Sequence, residues 1–280
     1  MSRKPTLARF KLTLEYDGTQ YSGWQKQLDA KTIQGSLLLA AATVFGTDKV
    51  DIQGSGRTDA GVHALNYVAH LEAKTALPPA AIMAGMNGVL PKDIVLLRVD
   101  KAQAQFHARY NCLARSYIYR ISKRKSAFGK KYVWWVSDRL DLAAMRQATE
   151  LLAGMHDFVA FAEKQEAKKS TKVLVQLAEL IETDDLIIFR IVGSHFLWKM
   201  VRRLVGLLVE VGCSRLRVED IKGLLTAKAA ARPVRFTAPP SGLFFERAFY
   251  HEKELKEFLR RRDTGLQNAA GLELSIGNEG

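Results

Sequence analysis

The sequence predicts an α+β fold. It reads as two βαββαβ-type halves with antiparallel or mixed sheets flanking a central basic cleft. Three observations predict this. Apolar spacing switches between strand and helix periods in the order β-α-β-β-α-β from Phe10 to Val99, the split βαβ arrangement. A similar element order returns between Arg115 and Tyr250. The chain has 280 residues, enough for two packed units.

The elements follow from local patterns. Phe10–Tyr16 alternates apolar and polar residues as a strand does, and Asp17-Gly18 and Gly23 mark turns after it. Thr32 is suited to cap a helix over Ile33–Phe45, with Leu37, Leu38, Ala41 and Val44 along one face. Short strands are expected at Val50–Gln53 and Asn66–Ala73, on either side of a glycine-rich segment. Pro78 opens a second helix, Leu90-Pro91 closes it, and Ile94–Val99 is an apolar strand. The domain boundary is expected near Lys101–Gln105, giving an N-terminal unit 1–105 and a C-terminal unit 106–250. In the second unit Arg115–Ser122 reads as a strand and Leu140–Gly154 as a helix. Leu174–Glu182 and Leu186–Val192 form a hairpin across Thr183-Asp184-Asp185. A helix is expected over Leu197–Val211, another near Val218–Leu225, and a closing strand over Gly242–Tyr250. Residues 163–172 read as a polar loop. In the tail 251–280, residues 251–262 are helix-prone and the stretch from Asp263 lacks periodicity.

Composition narrows the function classes. Apolar residues make up 48%, as in a globular enzyme, and no run approaches the roughly 18 apolar residues of a membrane span. The basic N-terminus is followed by no signal-peptide core, so a cytoplasmic protein without a membrane partner is expected. Forty-two basic against 29 acidic residues leave a charge of +13, which predicts a polyanionic partner, nucleic acid before lipid. Cys112 and Cys213 belong to no CxxC pair, and the histidines at 63, 70, 107, 156, 195 and 251 have no HExxH-like spacing. No protein-held metal is expected.

The stretch Gly54-Ser55-Gly56-Arg57-Thr58-Asp59-Ala60-Gly61-Val62-His63-Ala64 carries the strongest chemical signal. Its glycines permit tight turns and close approach to a ligand. Its one carboxylate, Asp59, stands near Arg57, and a cationic neighbour favours a charged carboxylate. Nucleophile, general base and metal ligand all remain open on this evidence. A phosphate loop is disfavoured: GxxxxGK[ST] is absent, Asp59 stands where GxGxxG requires glycine, and a carboxylate repels phosphate.

Gly56–Ala64 resembles the signature of the tRNA pseudouridine synthase A (TruA) family. Distant segments resemble it too: Tyr16-Asp17-Gly18-Thr19, Gly23-Trp24-Gln25, Thr32-Ile33-Gln34-Gly35, Asn87 with Leu90-Pro91 and Ile94. So do Phe106-His107-Ala108-Arg109, Arg115-Ser116-Tyr117-Ile118-Tyr119, His156-Asp157-Phe158, Phe196-Leu197, Met200-Val201-Arg202, Ala238-Pro239 and Gly242-Leu243. The resemblance runs from about residue 10 to 250. It departs at Lys168-Lys169-Ser170-Thr171-Lys172, where Val173 replaces the arginine of a Thr-x-Arg pattern, which puts one RNA contact in question and not the chemistry.

The resemblance implies an isomerase that turns uridine into pseudouridine at positions 38, 39 or 40 of the tRNA anticodon stem-loop. It implies the pseudouridine synthase fold, no cofactor and a homodimer bridged by tRNA. Asp59 matches the catalytic carboxylate, as nucleophile toward C1′ or, alternatively, as base at C2′. Arg57 fills the space of an extruded nucleotide or holds phosphate; the alternative is a guanidinium bound to loop carbonyls. Tyr117 matches the residue that the family places against the target uracil, with Tyr119 in the core; because residues 115, 117 and 119 share a strand face, the alternative is a Tyr117 and Tyr119 pair that covers the core. Arg202 reaches Asp59 from the second unit, and Phe196 and Leu197 wall the pocket. His107, Arg109, Arg115, Lys26, Lys199 and Arg203 are candidates for RNA contact, each with a plain surface charge as its alternative. His63 closes the loop. Rival functions are a synthase acting on another RNA, a non-catalytic tRNA-binding protein and a nucleoside hydrolase.

Overall fold

The computed structural model describes residues 6–162, 170–226 and 236–260. Most of the polar loop 163–172 and the tail from Asp263 lie outside the described residues. The first half contains β1 (Thr6–Tyr16), α1 (Ile33–Phe45), β2 (Val50–Gly54), β3 (His63–Thr75), α2 (Pro79–Val89) and β4 (Ile94–Ala102). The second contains β5 (Ala114–Ser122), β6 (Trp134–Trp135), α3 (Leu142–Glu150), β7 (Gly154–Asp157), β8 (Lys172–Glu182) and β9 (Leu186–Gly193). It continues through α4 (Met200–Gly212), α5 (Val218–Leu224), β10 (Leu243–Phe249) and α6 (Glu252–Arg260). This is the mixed α+β fold that the periodicities predict.

Local chemistry sets most boundaries. The Thr32 side chain accepts from the Gly35 N–H and starts α1; Gly46, at φ 65°, ends it in the left-handed region. Pro78 precedes α2 as expected. Two helices are shorter than their patterns. The pattern over 140–154 becomes α3 followed by a turn, because Gly154 takes φ 111° and starts β7, which pairs with β8. The pattern from Leu197 becomes a helix only at Met200, because Lys199 adopts φ 59°. Apolar spacing through Leu197 and Met200 reflects burial there, not helix.

The strands form one continuous sheet in the order β4-β1-β3-β10-β5-β9-β8-β7, with β2 also paired to β3 and β6 to β5. The halves meet where β10 pairs parallel with the start of β3, Phe244 with His63 and Phe245 with Ala64. On its other edge β10 pairs antiparallel with β5, Phe245 opposite Tyr117. Tyr117 is therefore two strand spacings, about 10 Å, from the start of β3.

The alternation of β5 divides two cores. Tyr117, Tyr119 and Ile121 face the large core packed with α1 to α5. Ala114 and Ile118 face smaller clusters behind it, the first closed by Phe249, Leu255 and Phe258 of β10 and α6. That rear face also buries charge. Arg190 of β9 donates to both Glu246 oxygens at 3.0 and 3.2 Å, and Ser116 donates to Glu246 at 2.6 Å. Arg190 is 2% exposed and its Nη1 also donates to Glu179 at 3.1 Å, so removing Glu246 leaves the buried cation with one carboxylate and strips Nε and Nη2 of their acceptor. Glu246→Ala is expected to lower folding stability by about 3–5 kcal/mol in urea titration.

Candidate active site

The loop 55–62 joins β2 to β3, adjacent antiparallel strands, so its two ends are fixed by the ladder. Buried aromatic hydroxyls fix its middle. Tyr67 of β3 donates to the Gly56 carbonyl and accepts from the Gly56 N–H. The Tyr16 hydroxyl pairs with Thr58 Oγ1 at 2.9 Å. Trp24 stacks against Tyr67 with ring centroids 4.2 Å apart, and its backbone N–H donates to the Thr58 carbonyl at 3.1 Å. Two glycines permit this packing. A side chain at Gly23, whose φ is 90°, would meet the Thr58 carbonyl at 2.5 Å. One at Gly54 would meet the Tyr67 hydroxyl at 2.1 Å. Burial pushes the Tyr16 and Tyr67 hydroxyls far above their usual range, so both remain neutral hydrogen-bonding groups. His63 closes the loop: its Nε2 bonds the Lys131 carbonyl, its Nδ1 faces the Gly18 N–H and Asp17, and its ring stacks on Phe244.

The loop then turns Asp59 outward, with the Val62 N–H on the Asp59 carbonyl at 3.2 Å. Arg202 meets it from α4. Its Nη1 donates to Asp59 Oδ2 at 3.0 Å, and its Nε donates to the Ala238 carbonyl at 2.8 Å. The second bond holds the guanidinium in place without Asp59. The pair is 13% and 18% exposed, shielded yet reachable. It opens into a cavity of about 880 Å³, lined by loop 55–62, Tyr117, residues 195–202 and Leu243.

Tyr117 is 8% exposed and packs edge-on against Phe196 and Phe245, each 5.2 Å away. Burial, and secondarily the Asp59 charge, drive its phenol well above the usual range, although Arg115 opposes this. It is a neutral ring and a hydroxyl donor at neutral pH. Tyr119 is fully buried and its hydroxyl donates to the Pro239 carbonyl at 2.8 Å.

The sequence-predicted cations separate by burial. Arg57 lines the cavity, is exposed, and has no hydrogen bond or ion pair among the described residues. The alternative of a guanidinium bound to loop carbonyls describes Arg115 instead. Arg115 is 9% exposed and commits four of its five N–H groups to the carbonyls of Ser55, Ser194 and Arg109. It holds the loop and leaves little for RNA. Arg109, Lys199 and Leu197 also line the cavity. Lys26, exposed, and His107 lie outside the cavity lining; Arg203 is buried and donates to the Phe161 carbonyl at 2.7 Å. His107 is a positioning residue: its Nδ1 accepts from the Arg109 and Tyr110 N–H groups and its Nε2 bonds Gln53. Trp198, also in the lining, is not among the sequence-predicted site residues. Among the described residues no group of three or more His, Cys, Asp or Glu side chains is arranged to hold a metal ion, and no helix is long and apolar enough to cross a membrane.

The model of the family described as tRNA pseudouridine synthase matches residues 13–111 and 148–251. The chain is 38% identical to tRNA pseudouridine synthase A 2 of Clostridium tetani over 245 residues, 86% of this chain and 98% of that protein. It is 36% identical to tRNA pseudouridine synthase A of Clostridium acetobutylicum over 86% of this chain and 98% of that one. Against tRNA pseudouridine synthase A of an Exiguobacterium species it is 38% identical, over 88% and 99%. The chain belongs to the tRNA pseudouridine synthase A family. It is thus a pseudouridine synthase, an isomerase, and Asp59, Arg202 and Tyr117 line one cavity.

Two outcomes follow for the synthase. Tyr67→Phe removes the hydroxyl from Gly56; it is expected to lower stability by about 1–3 kcal/mol. It should also lower kcat by about tenfold with KM little changed, because the loop bearing Asp59 loses its register. Denaturation and steady-state kinetics check both. The turn 106–111 rests on His70, whose Nδ1 accepts the Ala108 N–H. Burial, then the His107 and Arg9 neighbours, lower the His70 pKa from 6.5 to about 4. The unfolded chain binds that proton first, so stability falls as pH drops from about 6.5 toward 4 and levels off below. His70→Gln is expected to flatten this part of the stability–pH curve.

Proposed function

We propose that this protein isomerises uridine to pseudouridine at positions 38, 39 or 40 of the tRNA anticodon stem-loop, with Asp59 as nucleophile. The Asp59–Arg202 pair carries the reading: a single carboxylate at the floor of a cavity, held at 3.0 Å by an arginine anchored elsewhere. The volume of about 880 Å³ is within the range for a bound nucleoside.

The chemistry suits these groups. The uridine leaves its stack and enters the cavity, and Arg57 takes up the vacated space. As the C1′–N1 bond breaks, positive charge builds on the sugar, and a carboxylate oxygen of Asp59 bonds C1′. The detached uracil turns against the Tyr117 ring, and C5 attacks C1′. The ester bond breaks and returns the electron pair to Asp59, C5 loses its proton, and N1 gains one. Arg202 orients Asp59 throughout and balances its charge. Phe196, Leu197 and Leu243 exclude water, which keeps the sugar intermediate from hydrolysis.

In this reading unit 1–105 supplies the nucleophile and unit 106–250 the uracil wall and Arg202. The protein acts as a cytoplasmic homodimer whose joined basic surfaces hold one tRNA. Arg57, Arg109 and Lys199 beside the cavity support a polyanionic substrate, as does the charge of +13.

Tritium release from tRNA carrying [5-³H]uridine tests the reaction, since isomerisation must expel the C5 hydrogen. Wild-type protein is expected to release it, and Asp59→Asn to lower release by at least about a thousandfold. Sequencing of the product locates the modified positions. No release from any tRNA, or release of free uracil, would sink the proposal.

A further inference from the structure

We infer that Trp198 is a stacking platform for a nucleobase next to the reacting uridine, with Lys199 beside it for that nucleotide's phosphate. The inference rests on the reaction proposed above. Trp198 lines the same cavity as Asp59 and Tyr117 but is 48% exposed, whereas Tyr117 is 8% exposed. The two aromatics thus stand at different depths of one site. The deep ring serves a base taken fully out of water; the shallow one serves a base still at the surface.

The backbone presents Trp198 rigidly. It lies in the short connection from β9 to α4, where the Met200 N–H bonds the Leu197 carbonyl at 3.0 Å and the Arg203 N–H bonds the Lys199 carbonyl at 2.9 Å. Lys199 holds φ at 59°, a left-handed conformation uncommon for a residue with a side chain. Just before that kink, Phe196 packs edge-on against Tyr117, while Trp198, two residues on, is half exposed in the same lining. Lys199 Nζ lies over one face of the Trp198 ring, 3.9 Å from its centroid, so a base stacks on the opposite face or as the ammonium moves to the phosphate, and Arg57 and Arg109 share the lining. An exposed indole among cations complements a nucleotide, a π face joined to a phosphate. Extruding the uridine unstacks its neighbours, and an unstacked base gains from an aromatic face.

The test uses full-length protein with labelled tRNA and the variants Trp198→Phe, Trp198→Leu and Trp198→Ala. Loss of the ring in the Leu and Ala variants is expected to raise KM about tenfold or more with kcat within about twofold, while Phe stays within about threefold of wild type. Should Ala fail to fold, the Leu and Phe pair decides, since both fill the space and only one has a π face. Equal KM for Leu, Phe and wild type overturns the platform, as does a fall in kcat with KM unchanged. Sedimentation gives a further check: dissociation of an oligomer by Trp198→Leu would assign the residue to a subunit contact and also overturn it. Absence of tritium release by wild type instead overturns the reaction, so the two failures are distinct.

Discussion

The parallel contact between β10 and the start of β3 is the constraint on which the site depends. Only Phe244 with His63 and Phe245 with Ala64 pair there, yet the contact joins the two halves into one sheet. It also sets the distance between chemistries encoded far apart. The loop bearing Asp59 ends at His63, and Tyr117 lies one strand beyond Phe245. The connection after β9, the next strand, then brings α4 and Arg202 over the gap. A shift of one residue at the seam would exchange the faces of β10 and turn Phe245 away from Tyr117 and Tyr67.

Around that seam the protein divides its polar groups by depth. The hydroxyls of Tyr16 and Tyr67 and the guanidinium of Arg115 are buried and satisfy loop atoms, which fixes the backbone of the loop before any substrate arrives. Arg57 and Arg109, only a few residues from those anchors, are exposed at the cavity. Buried support beneath and exposed cations above are what a site needs to place one carboxylate accurately while capturing a long, charged substrate. Arg202 belongs to both groups, anchored by the Ala238 carbonyl and paired with Asp59.

Much of this was legible along the chain. The strand and helix periods located most elements, Thr32 and Pro78 marked helix starts, and the glycine-rich loop identified its carboxylate. The errors have physical causes. The Leu197 pattern overextended α4 because buried apolar residues also line the turn that Lys199 kinks. The Leu140–Gly154 pattern overextended α3 because Gly154 is a strand start, an alternative that glycine permits equally. His107 and Arg115 carry the hydrogen-bonding capacity of RNA ligands; the structure shows both bonded to backbone groups, with Arg115 still in the cavity lining.

The sequence by itself determined which residues can do chemistry: one carboxylate in a flexible-backbone loop, an aromatic strand, an arginine near a helix start and a strong positive charge. Those properties are covalent and local, and any fold inherits them. The resemblance named Arg202 as the arginine that reaches Asp59; tertiary structure brings the two together, and it alone decided that Arg115 holds the loop while Arg57 remains at the surface. Hydrogen-bond reach is about 3 Å, whereas Asp59 and Arg202 are 143 positions apart in the chain, so their pairing exists only once strand register has brought them together.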